Sequence, residues 1–328
     1  MGSILSSNQL RILFMGTPEF AAVSLDRLLD TDFHIIGVVT QPDRPKGRGM
    51  TLQPSPVKQV ALQRGLDVWQ PSEVSSQEFL KIFSGLRSDL VVVVAFGQKI
   101  PSEILNGPQF GCINVHGSLL PKYRGADPIR RALLNGDRVT GISTMYMNEG
   151  WDTGDIIFQE ELEVAGDENY ASLYCRLADL GGELLVKTIQ AILAGKAPRI
   201  PQNEQLATKA FKFKPGQCRI NWDEPAEKIH NLVRALAPSP GAETYFKAER
   251  LKILETKLSD LSKYDISDDC GPGGILRIIK NEGVLVSTGD RPLLITKMQP
   301  AGKRVMSAND CANGRCIKEG MHLCCSPG

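Results

Sequence analysis

The chain of 328 residues has no uncharged apolar run near the roughly 20 residues that a membrane-spanning helix needs, and its N-terminus lacks the charged start and apolar core of a secretory signal. A soluble, non-secreted protein with no membrane partner is expected. Cysteine is sparse, with 8 residues, and no regular spacing links Cys112, Cys175, Cys218 and Cys270, which excludes a disulfide scaffold and fits a reducing compartment. With 42% hydrophobic and 23% charged residues and no internal repeat or low-complexity segment, disordered, collagenous and coiled-coil classes are also excluded. Two nucleotide signatures are missing. There is no Walker A sequence, and GTPEF after the first apolar run lacks the second and third glycines of the dinucleotide fingerprint. Near the C-terminus, Cys311, Cys316, His322, Cys324 and Cys325 match no zinc spacing, so no metal site is expected and the tail reads as a frayed end.

What is present is an alternation of elements long enough for about two domains. Arg11 to Met15 reads as a strand, GTPEF as a tight turn and Ala21 to Leu29 as a helix; His34 to Thr40 and Asp89 to Phe96 are further buried-strand runs, with a helix near Val57 to Arg64 between them. This pattern predicts an α/β fold with a doubly wound, mostly parallel sheet. Gly111 to Val115 adds a strand, Gly141 to Met147 and Asp155 to Leu162 are strands joined by NEGWDTG, and Ser172 to Leu193 is a long amphipathic helix. A stretch rich in Pro and Lys follows. It divides the chain into a catalytic domain over 10–195, a linker over 196–209 and a second domain over 210–315. In that second domain a helix over Ala226 to Leu236 precedes five short strands, which predict a small OB-like β-barrel. Residues 1–204 hold 19 Lys+Arg against 23 Asp+Glu (net −4), whereas 205–328 hold 19 against 14 (net +5). A basic second half fits either nucleic-acid contact or an ordinary solvated surface.

The stretch CINVHGSLLPKYRGADPIRR carries the chemistry. Asn114 and His116 sit two apart at a strand end, so they face the same side, either to act together on one atom at the carboxyl edge where open α/β sheets bind ligands or, for the histidine, as a structural residue of the strand. Asp152, in the loop of 148–154, is either an Asx-type turn residue or the carboxylate that fixes the His116 tautomer; Asp155 competes for the same role. Arg44, Lys46 and Arg48 space three cations through QPDRPKGRG, either for phosphate contact or as a solvated loop.

Taken together, FMGTPEFA, TQPDRPKGRG, LQPSPVK, INVHGSLLPKYRGADPI, NEGWDTGD, INWDEPAEKIHNLVRA and QPAGKRVMSA resemble, over about residues 10–310, the formyltransferases that use 10-formyltetrahydrofolate, and among them the branch that acts on methionyl-tRNA. The resemblance implies transfer of a formyl group from 10-formyltetrahydrofolate to the amino group of methionyl initiator tRNA. It implies catalytic roles for Asn114, His116 and Asp152, folate contacts from Ser118, Leu119, Leu120 and Pro121 with an apolar wall near Val94 to Gly97, and tRNA contacts from Arg44, Lys46 and Arg48. A monomer is expected, in a bacterial cytoplasm or an organellar matrix. A related enzyme acting on an amino sugar is the alternative, and the basic loop argues against it. Trp151, Asp127 and the tail after about Ala312 depart from the family pattern.

Overall fold

A computed structural model describes residues 9–46, 49–258, 270–315 and 317–326. The chain forms two compact units whose segments interleave: the first takes residues up to Pro128, Val139–Glu163 and Tyr174–Ala210, and the second takes Ile129–Arg138, Val164–Leu173 and the chain from Phe211 onward.

In the first unit the leading elements are β1 (Arg11–Gly16), α1 (Glu19–Leu29), β2 (His34–Val39), a hairpin of β3 (Arg44–Lys46) and β4 (Thr51–Gln53), α2 (Pro56–Gln63), β5 (Val68–Trp69), α3 (Gln77–Leu86) and β6 (Leu90–Val94). There follow along the chain α4 (Ser102–Leu105), β7 (Cys112–His116), β8 (Arg124–Gly125), α5 (Pro128–Leu134), which but for Pro128 falls in the second unit, β9 (Val139–Tyr146), β10 (Ile156–Glu163) and α6 (Tyr170–Leu193), whose first four residues also fall in the second unit. Seven strands form one sheet in the order β10-β9-β7-β6-β1-β2-β5. The five from β5 to β7 are parallel, and β9 and β10 add an antiparallel edge. The run LVVVV of β6 is buried at every residue, as a strand covered on both faces requires. Because β2 leaves β1 on one side and β6 on the other, the order reverses at β1, and the crevice at the carboxyl ends of β1, β6 and β7 is the ligand-binding place of such sheets.

Residues 196–209, expected as a linker, run against this unit. Ile200 bridges Ile156, Gln202 and Glu204 bond Arg124, and Lys209–Ala210 (β11) pair in parallel with β8. Polar spacing and prolines gave this segment its linker composition; side-chain bonds and a two-residue ladder fix it.

The second unit contains α7 (Ala226–Leu236), β12 (Ala242–Phe246), β13 (Glu249–Lys257), β14 (Ile275–Ile279), β15 (Gly283–Val286), β16 (Leu293–Pro300), β17 (Met306–Ser307) and α8 (Ala308–Arg315). These strands form an antiparallel sheet in the order β12-β13-β16-β15-β14, with β17 added to β16. Helix α7 turns Ala226, Ile229, Val233 and Leu236 into the core at helical spacing. The expected frayed tail is instead ordered: Cys324 exchanges both backbone hydrogen bonds with Tyr245 on β12, while Leu323 N–H donates to the Gly273 carbonyl and the Ile275 N–H to the Met321 carbonyl at β14. One short segment thus joins the two outer strands of the sheet. Composition missed it because main-chain atoms make these bonds.

Candidate active site

Asn114 and His116 end β7, two residues apart and on the same side of the strand. Antiparallel pairing with β9 sets Asn114 against Met145 and His116 against Ser143. Both side chains are buried, Asn114 at 9% and His116 at 6% exposure. Asp152 meets them from the loop between β9 and β10. Its Oδ1 lies 3.5 Å from Asn114 Nδ2 and its Oδ2 lies 3.8 Å from His116 Nδ1. The first distance is the outer limit of a hydrogen bond, and the second is beyond one. The Asp152 Oδ2 accepts the Gly125 backbone N–H at 2.8 Å.

Asp152 does not fix the imidazole tautomer. That task falls to Tyr123, whose carbonyl lies 2.9 Å from His116 Nε2. A carbonyl only accepts, so Nε2 carries the proton, and Nδ1 on the Asp152 side is the nitrogen free to take up or release one. Tyr123 holds a left-handed backbone with φ 62°, its N–H donating to Thr208 Oγ1 at 2.8 Å, and Asp152 is left-handed too, at φ 53°. Two non-glycine residues in this strained region beside one pair of side chains mark a place where geometry is held against local preference. Asp155, the competing carboxylate, points elsewhere: it lies 3.8 Å from Arg199, whose guanidinium stacks 3.7 Å above the Tyr146 ring.

The SLLP turn supports this strand end from within. Ser118 is fully buried and its Oγ donates to the Lys122 carbonyl at 2.7 Å. Ser143 Oγ donates to the Ser118 carbonyl at 2.6 Å and accepts from Leu120 N–H at 2.9 Å and Gln159 Nε2 at 2.8 Å. The side chains of Ser118 and Leu120 are therefore turned inward. Leu119 and Pro121, half-buried, are the members of the turn with accessible surface.

Of the three cations read from the sequence, Arg44 is exposed on β3, Lys46 ends that strand, and Arg48 lies outside the described residues. The hairpin is anchored at its base. Lys58 Nζ donates to Asp43 Oδ2 at 2.7 Å and to Gln70 Oε1 at 2.6 Å, and Gln70 Nε2 donates back to Asp43 Oδ1 at 2.7 Å. The Lys58 hydrogen bond, joined by that of Gln70, holds the Asp43 carboxyl below its ordinary value. On the same hairpin Met50 and Leu52 are each 68% exposed. Trp151 is also exposed, beside Asp152, whereas Asp127 is buried and its N–H reaches the Ala210 carbonyl at 3.2 Å.

Sequence reasoning missed Tyr123, Thr208 and Gln202. The first acts through its carbonyl, and the other two lie at least 48 residues from their partners, so no local pattern exposes them. Cys112, also at this strand, is a buried thiol whose burial pushes its pKa up to about 12, leaving it without nucleophilic character at neutral pH. Among the described residues no group of three or more His, Cys, Asp and Glu side chains can hold a metal, and no helix is long and apolar enough to cross a membrane.

A family model described as formyl transferase matches residues 10–189, and one described as formyl transferase, C-terminal domain, matches residues 212–316. The methionyl-tRNA formyltransferase of Moorella thermoacetica is 45% identical over 316 residues, which cover 96% of this chain and 100% of that protein. Among solved structures, the sugar 3N-formyl transferase WlaRD aligns with a TM-score of 0.64 at 18% identity, covering 90% of this chain and 99% of that one. HypX from Aquifex aeolicus, in complex with tetrahydrofolic acid, aligns with a TM-score of 0.61 at 16% identity, covering 92% and 47%. At such identities the two structures speak for the fold alone.

Proposed function

The chain belongs to the formyl transferase family, and from that premise we propose how its residues carry a formyl group from a folate donor to the amino group of methionine on initiator tRNA. Formyl transfer is the reaction of the family, and the full-length relatives are named for the methionyl-tRNA acceptor. The donor in this reading is 10-formyltetrahydrofolate. The observation that carries the assignment of roles is the convergence of Asn114, His116 and Asp152 at the carboxyl end of β7.

The acceptor attacks as a free amine. Since an α-amino group titrates near pH 8, roughly a tenth of it is already unprotonated at pH 7. Its lone pair forms the new C–N bond at the formyl carbon and the carbonyl oxygen becomes an oxyanion. Asn114 Nδ2 and a protonated His116 Nδ1 are the donors for that oxygen. Asp152 stands beside them, its Oδ2 3.8 Å from His116 Nδ1. Collapse of the intermediate breaks the bond to the folate nitrogen N10; the amine gives up its proton and N10 receives one, a relay in which Asp152 serves as the base. Leu119 and Pro121, with the chain near Val94 to Gly97, supply apolar surface for the pterin. Ser118 and Leu120 serve the folate indirectly, by keeping the turn in shape. The hairpin with Arg44 and Lys46, and Arg48 beyond it, contacts the acceptor end of the tRNA, and the enzyme works as a monomer in an aqueous, reducing compartment.

The test is formyl transfer from 10-formyltetrahydrofolate with methionyl initiator tRNA, a nucleotide-linked amino sugar and water offered as competing acceptors. Formylmethionyl-tRNA as the dominant product is the expected result. A dominant formylated sugar, or formate release alone, overturns the acceptor assignment.

A further inference from the structure

Gln202 lies in the segment that composition assigns to a linker, yet it makes four hydrogen bonds within the first unit. Its Nε2 donates to the backbone carbonyls of Asp152 at 2.9 Å and Gly154 at 2.7 Å. Its Oε1 accepts from Arg124 Nε at 3.0 Å and Nη2 at 2.9 Å. A guanidinium only donates and a carbonyl only accepts, so a primary amide in this one orientation satisfies both sides, and neither a carboxylate nor an ammonium does. Arg124 is held in turn by Glu204 in a two-pronged pair, Nη1 to Oε2 at 2.8 Å and Nη2 to Oε1 at 2.7 Å. The residue after Arg124 is Gly125, whose N–H binds the Asp152 carboxylate at 2.8 Å.

Asp152 is therefore gripped at both ends, the main-chain carbonyl by Gln202 and the side chain by Gly125. The grip has something to resist. At φ 53° Asp152 sits in a conformation that an aspartate in a free loop leaves readily, and Gly154 next door is packed so closely on the Tyr146 carbonyl that a Cβ there would overlap it.

We infer that Gln202, backed by Arg124 and Glu204, is a positioning residue for the reaction: it holds the loop that presents the Asp152 carboxylate to Asn114 and His116. This rests on the catalytic role proposed for Asp152. Gln202 touches no reacting atom, so its contribution lies in the rate of the bound complex rather than in binding. Displacements of about 1 Å in a catalytic array cost up to a hundredfold in rate.

The experiment compares Gln202→Ala, Gln202→Glu, Glu204→Gln and Asp152→Asn in steady-state formyl transfer, with thermal unfolding of each. Gln202→Ala is expected to lower kcat about tenfold while KM for folate and for methionyl-tRNA stays within twofold and Tm within about 3 °C. Gln202→Glu, which turns a carboxylate toward two carbonyls, is expected to be no better than the alanine variant. Glu204→Gln loosens Arg124 from the exposed side, so a kcat loss of about twofold to threefold without a KM change is expected even if the alanine variant folds poorly. Wild-type kcat in Gln202→Ala and Glu204→Gln beside an inactive Asp152→Asn overturns the positioning role and leaves that of Asp152 standing. Wild-type kcat in Asp152→Asn removes the underlying assignment instead. A raised KM at unchanged kcat, or a kcat loss in both variants that follows their loss of Tm, also overturns the inference.

Discussion

His116 gives its Nε2 proton to the Tyr123 carbonyl over 2.9 Å, so the ring has one orientation and only Nδ1 remains for chemistry. Replacing His116 by Ala, or Asn114 by Ala, removes one oxyanion donor. Each is expected to lower kcat by about 10² to 10³. His116→Gln keeps a donor group but cannot accept and release a proton, so it is expected to recover less than a tenth of the lost rate. Single-turnover formyl transfer separates this from slow product release, and a near-wild-type rate for either alanine variant would falsify the assignment of donors.

The basic hairpin gives a separable signal. Replacing Arg44 and Lys46 by Ala is expected to weaken methionyl-tRNA binding and to make it less sensitive to salt, because each lost phosphate contact reduces the slope of log K against log salt by about 0.7 to 0.9. Folate binding should stay as it is. Titrations of tRNA at several salt concentrations provide the check, and an unchanged slope would take the hairpin out of the tRNA interface.

His230 offers a pH test of the second unit. Its Nε2 donates to the Gly166 carbonyl at 2.9 Å and its Nδ1 accepts from Thr256 Oγ1 at 2.8 Å, so the neutral ring is fully satisfied. Burial is the main cause that lowers its pKa below the ordinary 6.5, and Arg234 works in the same direction. The unfolded chain therefore takes up a proton near pH 6.5 that the folded chain refuses until the pH is lower. The stabilisation is complete above that value and is lost as pH falls below it. Denaturant unfolding of wild type and His230→Gln between pH 8 and about 5.5 should show a larger loss in wild type; parallel curves would remove His230 from the acid response.

Gly125 is expected to be intolerant of alanine. Its φ is 123°, and a Cβ there would lie 2.7 Å from the Ala210 carbonyl oxygen. Gly125→Ala should cost about 1–3 kcal/mol of stability. It should also lower kcat, since the Gly125 N–H is the hydrogen bond that Asp152 Oδ2 accepts. Unfolding curves together with turnover numbers decide it, and wild-type values in both would show that β8 and β11 can separate without consequence.

Much of the fold was legible where one period dominates. LVVVV could be little else than a covered strand, and α7 begins and ends where its apolar spacing does. Helix α6 starts two residues before the apolar pattern because Asn169 Oδ1 accepts from the N–H groups of Ala171 and Ser172, a signal carried by a cap rather than a period. The placement of Asn114 and His116 on one side of the end of β7 was readable from their two-residue spacing. The SLLP turn was marked for folate by resemblance alone; that Ser118 and Leu120 lie inside follows from the packing around the Ser143 hydroxyl, 25 residues from Ser118, which no local pattern shows. The parts that the sequence hid are contacts across 48 to 85 residues and bonds made by main-chain carbonyls, neither of which leaves a mark on local composition.

The tail that pairs with Tyr245 and with Gly273–Ile275 does more than tidy a terminus. Every open sheet has two rims of unpaired amides and carbonyls, each a template on which another chain can grow. One short segment pairs with a residue on each rim, so a single proteolytic nick ahead of Gly320 would free main-chain groups on both at a stroke. The segment 320–324 is thus a matter of colloidal hygiene, and a chain lacking it should be judged by light scattering before it is judged by turnover.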